Sequence, residues 1–265
     1  MRNRIIRIIL FVVAGSVFLG SSFMVLKYWQ EMRTGAKQVE VLTQMAVTPV
    51  GQGPGGEAKG DNILTSDEET EKPKFTAPIQ VDFDVLRAEN PDVVAWLYCP
   101  DTPINYPVVQ GPDNEYYLHR LLDGRTNSAG TLFMDYRNEG DFSHWNSVIY
   151  GHNMKNGSMF GTLTDYKKQA YFDAHPLMYL LTPEGDYEVQ LVAGFVTPDD
   201  GDVYQALYPE DGEKENLLNK WLESSDFVSD YEPSPEDWLL TLSTCSYEYN
   251  NARYVLIGVL STGAD

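Results

Sequence analysis

The feature that most constrains this chain is an uncharged apolar run close to its N-terminus. Residues 8–26 comprise 19 amino acids and contain no charged side chain. As an α-helix with a rise of about 1.5 Å per residue, the run would be about 28 Å long, close to the hydrocarbon thickness of a bilayer. It therefore predicts a transmembrane anchor, and the folded part of the protein must lie after it.

The residues that flank the run predict its orientation. Three arginines precede it, so the positive-inside rule keeps the N-terminus in the cytoplasm and places the chain after Lys27 outside the cell. A cleaved signal peptide is the alternative, with residues 20–22 (GSS) as its cleavage site. Its apolar region would be about 7–15 residues long, whereas this run continues beyond that site. Both interpretations place most of the chain outside the cytoplasmic membrane.

The net charge divides between the anchor and the rest of the chain. The formal charge is −20, but residues 1–33 carry five bases and one acid, which leaves −24 for the other 232 residues. Such an acidic exterior lacks the basic face that nucleic-acid binding needs, so we expect no nucleic-acid partner. We also expect no cofactor and no metal. Two cysteines are too few for a thiolate cage, and the acidic turn at 199–202 lacks the ligand spacing of a calcium loop.

The composition predicts three segments. Residues 1–33 would form a cytoplasmic tip and the transmembrane anchor. Residues 34–74 contain a Gly-rich stretch and an acidic run, which predict a flexible extracellular stalk, with a short helix near residues 39–45 as the one regular element it could contain. Residues 75–265 would form the folded domain.

The folded segment is predicted to be mainly β. Strand patterns lie at 93–98, 102–110, 130–135, 147–150, 187–196, 238–243 and 253–261. A short helix is expected at 82–89, and the clearest helical period lies at 213–227, with apolar residues on one face and charged residues on the other. Many short strands with few helices indicate a β-barrel or a β-sandwich.

Cys245 is the candidate nucleophile. It ends a strand-like run and precedes a polar loop at 246–251, where a thiol can be exposed and reactive; a buried structural cysteine is the alternative. Arg253 opens the next strand, and antiparallel pairing would bring its guanidinium beside the thiol, where it could hold a carbonyl or stabilise an oxyanion. A disulfide between Cys99 and Cys245 would remove the nucleophile, and the sequence leaves that pairing open.

A cysteine nucleophile needs a partner for proton transfer, and the chain has four histidines. His152 follows an apolar strand and a glycine, a position from which a side chain can project into a cleft. His119, His144 and His175 fit surface or packing roles better. We therefore expect His152 to be the partner of the thiol.

Taken in order, these residues resemble the sortase family. The motifs that carry the resemblance are YGHNM at 150–154, TLSTC at 241–245 and the downstream Arg253. Residues 104–111 (INYPVVQG) and 130–138 (GTLFMDYRN), with the long helix before the cysteine strand, are similar to the class B branch. The resemblance covers about residue 75 to the C-terminus.

The resemblance implies a closed eight-stranded β-barrel with an N-terminal helix and a long helix before the cysteine strand. It also implies a membrane-anchored cysteine transpeptidase of Gram-positive bacteria, with its catalytic domain outside the cell. Cys245 would attack the Thr carbonyl of a C-terminal sorting signal on a secreted protein and form a thioacyl enzyme. His152 would transfer the protons, and Arg253 would hold the carbonyl and the oxyanion. The acceptor amine would belong to a peptidoglycan cross-bridge, its lipid-linked precursor or a pilin lysine.

The class B pattern also implies a substrate groove. Its lining residues would be Asn114, Leu118, Tyr204, Ser243 and Thr244. For Leu118, simple packing in the core is the alternative. Two other functions stay open at this point: an extracellular cysteine hydrolase that transfers nothing to an amine, and a non-catalytic binding domain in which the two cysteines are joined.

Overall fold

The computed structural model of the protein describes residues 2–50, 76–205 and 211–262, in which one long N-terminal helix precedes a series of short elements. The helices are α1 (Arg2–Ala46), α2 (Phe83–Glu89), α3 (Gln169–Ala174) and α4 (Asp211–Glu223). The strands are β1 (Val47–Pro49), β2 (Ile79–Val81), β3 (Val93–Tyr98), β4 (Asn105–Val109), β5 (Leu132–Met134), β6 (Asn146–Tyr150), β7 (Leu177–Leu181), β8 (Asp186–Pro198), β9 (Leu239–Cys245) and β10 (Ala252–Ser261). Short 3-10 helices lie at Tyr117–His119, Leu163–Lys167 and Asp202–Tyr204.

Eight of these strands close into a barrel. Around the barrel the order is β10, β8, β7, β3, β4, β5, β6 and β9, and the pairing of β9 with β10 completes the ring. The pairs β4–β5 and β6–β9 are parallel, whereas β9–β10 and β8–β10 are antiparallel. The predicted closed eight-stranded barrel is confirmed, and its closure pairs every edge among the eight strands.

The strands that close the barrel are buried on both faces. Leu240 and Leu242 of β9 point into the barrel core, whereas Leu239 of the same strand and Val255 of β10 pack outside it with Trp221 of α4. Because successive side chains of a strand alternate between its two faces, a strand buried on both sides has an almost continuous apolar sequence. This explains why 238–243 and 253–261 lack a polar alternation.

Three local features refine the sequence predictions. Helix α2 begins where expected, because the Asp82 carboxylate accepts a hydrogen bond from the Val85 amide (3.1 Å) as its N-cap. Helix α4 ends at Glu223, before the predicted end at 227, and Phe227 instead stacks on Phe172 with ring centroids 4.2 Å apart. Strand β7 is not predicted at all, since its LMYLL sequence has no alternation to mark it.

Helix α1 continues well beyond the apolar run. It reaches Ala46 without a break, and Leu42 and Ala46 are buried in the same cluster as Leu86 of α2. The structure therefore differs from the predicted flexible stalk over residues 34–49, because side chains at helical spacing bury one face of this segment against the barrel domain. The rest of the predicted stalk, from residue 51 to 74, lies outside the described residues, and the three segment boundaries stay a prediction.

The apolar side chains in the first part of α1 are exposed and do not pack against the other residues that the structure describes. The helix is long and apolar enough from Ile9 onward to cross a membrane, and Phe11, for example, is 79% exposed. One such helix near the N-terminus suggests a single-pass membrane anchor, although a signal sequence has the same composition.

Candidate active site

A cavity of about 430 Å³ opens at the end of the barrel where β6 and β9 finish and β10 begins. All eight residues that the sequence predicts for the site line this cavity: His152, Cys245, Arg253, Asn114, Leu118, Tyr204, Ser243 and Thr244. The other lining residues are His119, Phe133, Tyr150, Gly151 and Asp199. The structure thus brings together residues that lie as far apart in the sequence as 114 and 253.

Cys245 and Arg253 lie directly opposite each other in the antiparallel ladder of β9 and β10. Side chains in opposite positions project from the same face, with their Cβ atoms about 5 Å apart. The thiol and the guanidinium therefore share the cavity, as the sequence predicts. Arg253 also forms a long ion pair with Asp199 (Nη2 to Oδ2, 3.8 Å), and these side chains are 28% and 41% exposed. At this exposure the pair contributes little to stability. The guanidinium also donates from Nη1 to the Ala252 carbonyl (3.2 Å).

The chain around His152 is fixed to the strand that carries the thiol. Three hydrogen bonds do this: from the Gly151 amide to the Ser243 carbonyl (3.1 Å), from Thr244 Oγ1 to the Gly151 carbonyl (2.8 Å), and from Asn153 Nδ2 to the Cys245 carbonyl (2.8 Å). Glycine is required at 151, since a Cβ there would lie 2.4 Å from Leu132 Cδ2. Hydrogen bonds of the residues on both sides of His152, from the Gly151 backbone and the Asn153 side chain, therefore attach it to the strand that ends at Cys245.

The His152 ring has a defined protonation pattern. Its Nε2 lies 2.8 Å from the Leu118 carbonyl oxygen, and because a carbonyl can only accept, Nε2 donates and Nδ1 is the acceptor of the neutral ring. Burial lowers the pKa of His152 below its ordinary value of about 6.5; the bond to Leu118 opposes this shift, and the neighbouring His119 adds to it. Near neutral pH the imidazole is therefore neutral, with Nδ1 able to receive a proton.

His119 was expected to have a surface or packing role, but its ring lies in the cavity. It stacks on His152 with ring centroids 5.5 Å apart and an angle of 18° between the planes. The other two histidines lie elsewhere: His144 Nδ1 is 3.1 Å from Asn138 Nδ2, and His175 Nδ1 is 3.0 Å from the Tyr171 carbonyl. The sequence alone does not distinguish His119, which lies in the cavity, from His144 and His175, which do not. Its stacking on His152 joins residues 33 positions apart and leaves no local sequence pattern.

Two aromatic side chains form one wall of the cavity. Tyr204 and Tyr150 stack with ring centroids 6.1 Å apart, and the Tyr204 hydroxyl lies 2.8 Å from Ser243 Oγ. Burial raises the pKa of Tyr204 to about 12, so the hydroxyl stays neutral at physiological pH. Leu118 is only half-buried and lines the cavity, which argues against a role purely in the core.

A buried carboxylate behind this wall was not predicted from the sequence. Asp135 is 2% exposed and accepts two hydrogen bonds from the Arg137 side chain (2.9 and 2.7 Å), one from the Tyr150 hydroxyl (2.8 Å) and one from Asn114 Nδ2 (3.1 Å). Burial raises the pKa of Asp135, but the hydrogen bonds from Arg137, Tyr150 and Asn114 more than offset it, so the pKa lies below its ordinary range. Arg137 Nη2 also donates to the Tyr204 carbonyl (3.0 Å).

This Asp135–Arg137 pair therefore connects three residues of the cavity wall, Asn114, Tyr150 and Tyr204. The sequence contains a signal for it, an Asp and an Arg two residues apart at the end of a buried strand. Nothing in that spacing indicates which other side chains the pair would hold, since they come from distant positions in the chain.

The two cysteines are not joined. Both are free thiols: Cys245 is half-buried in the cavity, whereas Cys99 is fully buried in the barrel core, 3.7 Å from the Tyr166 hydroxyl. Burial raises the pKa of the Cys99 thiol, which favours its neutral form. The disulfide that the sequence left open is therefore absent. Among the residues that the structure describes, no group of three or more His, Cys, Asp and Glu side chains is placed to hold a metal ion.

Comparison with known proteins gives consistent similarities. The family model of the sortase domain matches residues 97–261. A sortase B from Listeria monocytogenes is 39% identical over 179 residues, which cover 67% of this chain and 73% of that protein. Among solved structures, a Staphylococcus aureus sortase B–substrate complex matches with a TM-score of 0.64 and 29% identity, over 68% of this chain and 84% of the other. A Bacillus anthracis protein similar to sortase B matches with a TM-score of 0.68 and 28% identity, over 88% of this chain and 96% of the other.

Proposed function

The chain belongs to the sortase family, in its class B branch of cysteine transpeptidases, and on that premise we propose that it cleaves a C-terminal sorting signal of secreted proteins after Thr and joins the Thr carboxyl to an amine. The observation that carries the proposal is the pairing of Cys245 with Arg253 across β9 and β10, in a cavity that also contains His152. This arrangement unites a nucleophile, a donor for an oxyanion and a proton carrier.

The proposed reaction has two displacement steps. In the first, His152 accepts the thiol proton at Nδ1 while Cys245 Sγ bonds to the Thr carbonyl carbon. The C–N bond then breaks, and His152 returns the proton to the leaving amine. In the second step an acceptor amine attacks the thioacyl carbonyl and loses its proton to His152. The C–S bond then breaks, and the departing Cys245 thiolate takes that proton back from His152. Arg253 donates to the carbonyl oxygen in both steps, when negative charge develops there.

We propose that Asn114, Leu118, Tyr204, Ser243 and Thr244 bind the sorting signal. Leu118 and Tyr204 offer apolar surface in the cavity, and Asn114 supplies an amide whose orientation is fixed by Asp135. Ser243 and Thr244 already form hydrogen bonds with Tyr204 and the Gly151 carbonyl, so their contribution would be mainly to the shape of the wall.

We further propose that α1 anchors the enzyme in the cytoplasmic membrane through residues 8–26, with the N-terminus inside the cell and the barrel outside. The arginines before the apolar run support this orientation. Outside the cell, where the barrel would lie, the acceptor amine would come from a peptidoglycan cross-bridge, its lipid-linked precursor or a pilin lysine.

The test uses the full chain in lipid nanodiscs with a set of sorting-signal peptides and an oligoglycine amine, followed by mass spectrometry. We expect cleavage after Thr and a product that contains the added amine. Cys245→Ala, His152→Ala and Arg253→Ala should each reduce turnover at least about a hundredfold while leaving the fold intact. Cys99→Ala is the matched control, because it removes the buried thiol and should leave transfer unchanged.

Two results would contradict the proposal. Cleavage that yields only the free acid, whatever the amine concentration, would identify a cysteine hydrolase instead. Transfer that persists in Cys245→Ala would exclude this thiol as the nucleophile.

A further inference from the structure

The part of α1 that follows the apolar run, residues 27–46, packs against the barrel loop 117–131. We call these the juxtamembrane segment and the 117–131 loop. Three hydrogen bonds join them: Asn127 Nδ2 donates to the Glu31 carbonyl (2.8 Å), Ser128 Oγ donates to Glu31 Oε2 (2.8 Å), and the Leu122 amide donates to Gln38 Oε1 (3.2 Å). The helix is therefore attached to the loop at two positions about two turns apart.

Packing and polar contacts both hold this attachment, since Gly35 is buried against the loop and a Cβ there would lie 3.5 Å from Leu121 Cδ2. A cavity of about 170 Å³ remains between the juxtamembrane segment and the loop, and Gly35 faces it. Leu42 and Leu122 also line this cavity and are buried in one cluster. Beside this apolar contact, the side chains of Glu31 and Gln38 accept two of the three hydrogen bonds from the loop, and the Glu31 carbonyl accepts the third.

The same loop carries the hydrogen-bond partner of His152. The Leu118 carbonyl, which accepts from His152 Nε2, lies in this loop, one residue before His119. The Asn127 amide donates to the His119 carbonyl (3.0 Å), so Asn127 contacts the helix through its side chain and the loop beside His152 through its backbone. One residue thus links the juxtamembrane segment to the surroundings of the His152 ring.

Gly130, near the other end of the 117–131 loop, also lies against the Leu118 carbonyl. Gly130 has a φ of +61°, and a Cβ at this position would lie 2.5 Å from the Leu118 carbonyl oxygen. A displacement of residues 127–130 would therefore move the acceptor that orients the imidazole.

We propose that the juxtamembrane segment is a positioning element of the active site: by holding the 117–131 loop through Glu31 and Gln38, it keeps the Leu118 carbonyl against His152 Nε2 and the imidazole in its working orientation. The inference rests on the proposed function, because it assigns a role to the residue that transfers protons. The anchor helix would then do more than tether the barrel, since the site is complete only when this helix is docked.

The test compares three double variants of the full chain in nanodiscs. Glu31→Ala/Gln38→Ala removes both side-chain acceptors. Glu31→Gln/Gln38→Glu keeps an acceptor oxygen at each position and leaves the net charge unchanged. Lys37→Ala/Glu40→Ala changes only the exposed face of the same helix. All the residues introduced are good helix formers, so helix propensity is nearly constant across the set.

We expect Glu31→Ala/Gln38→Ala to lower kcat for peptide transfer about tenfold or more, with KM changed less than about twofold, because misoriented catalytic groups reduce the rate rather than peptide binding. The other two double variants should stay within about twofold of the unmodified chain. Asn127→Asp removes the third bond, the one to the Glu31 carbonyl that Glu31→Ala/Gln38→Ala retains, and it keeps the acceptor for the Ala129 amide. It should also lower kcat. Combined with Glu31→Ala/Gln38→Ala, it should reduce kcat by less than it does alone.

A second measurement reports on His152 directly. The protein is labelled with ¹⁵N-histidine, and the NMR signal of the His152 Nε2–H group is assigned by its loss in His152→Gln. In the unmodified chain this proton should be hydrogen-bonded and exchange slowly with water. In Glu31→Ala/Gln38→Ala it should exchange faster. A kcat and a His152 signal that both stay unchanged in this variant would overturn the inference. Failure of the proposed function is distinguishable, because the unmodified chain would then form no amine product at all.

Discussion

Replacing Asp135 with Asn tests whether a buried carboxylate supports the wall of the candidate active site. The carboxylate is almost fully buried, and its two oxygens divide the donors between them. Oδ1 accepts from the Arg137 amide (3.0 Å) and Nε (2.9 Å), and Oδ2 accepts from Arg137 Nη2 (2.7 Å), Tyr150 Oη (2.8 Å) and Asn114 Nδ2 (3.1 Å). Asn has the same shape but only one acceptor oxygen.

The number of lost bonds sets the expected cost. If the new amide nitrogen replaces Oδ2, the Tyr150 hydroxyl can rotate and accept from it, but Arg137 Nη2 and Asn114 Nδ2 then face a donor. If it replaces Oδ1, the two other Arg137 donors lose their acceptor. A hydrogen bond to a charged group contributes about 1.5–3 kcal/mol. Because the Arg137 side chain is 36% exposed, water replaces part of its loss, and we expect Asp135→Asn to lower the free energy of unfolding by about 2–3 kcal/mol.

The assay is urea unfolding of the full chain in detergent micelles, followed by tryptophan fluorescence. Asp173→Asn is the matched control: Asp173 is exposed and accepts one bond from Gln169, so its change should stay within about 0.5 kcal/mol. KM for the sorting peptide should rise in Asp135→Asn, because Asn114 and Tyr150 lose the group that fixes them. A loss below about 1 kcal/mol, or one equal to that of the control, would refute this account of the wall.

Three further predictions follow from the same geometry. Iodoacetamide should label Cys245 in the native chain and reach Cys99 only after unfolding, as counted by mass spectrometry; two labels on the native chain would contradict the burial of Cys99. His119→Ala should raise the pKa of His152 in an NMR titration, because electrostatic repulsion from His119 contributes to lowering it; an unchanged or lower pKa would contradict that contribution. The pKa of Asp135 is lower in the folded state than in the unfolded state, so its carboxylate stabilises the fold above the unfolded pKa of about 3.9, and this stabilisation is lost as the pH falls through the folded-state pKa. The difference in unfolding free energy between the unmodified chain and Asp135→Asn should therefore shrink below about pH 4. A difference that does not change with pH would mean that packing, and not the charge of Asp135, causes the loss of stability.

The barrel and the position of Cys245, His152 and Arg253 in one cavity could be predicted because each leaves a local trace. Strands buried on both faces give continuous apolar runs, and a polar loop between two such runs places Cys245 opposite Arg253. His152 follows Gly151, a position that has no room for a side chain because a Cβ there would lie too close to Leu132. These features depend on neighbours in the sequence or on one strand pairing, and sequence patterns report such neighbours well.

The parts that could not be predicted depend on contacts between distant segments. Asp135 binds Asn114 and Tyr150, which come from different elements, and His119 stacks on His152 across two loops. The continuation of α1 was missed for a similar reason. A Gly-rich stretch and an acidic run lie farther along the same segment, and what favours a helix as far as Ala46 is the barrel surface against which Leu42 and Ala46 are buried.

The two halves of the candidate site are therefore held by structures of different stiffness. Cys245 and Arg253 lie in the ladder that closes the barrel, whose register runs from that pair to Val259 and Leu239. A slip of one residue would turn Arg253 away from the thiol and expose buried side chains along the whole strand, so this half can change only if the barrel opens. His152, by contrast, contacts the carbonyl of a loop on which residues 27–46 of α1 pack. A perturbation that leaves the barrel intact should therefore alter the rate through His152 first, and residues 27–46 of α1 are the part of the chain best placed to apply it.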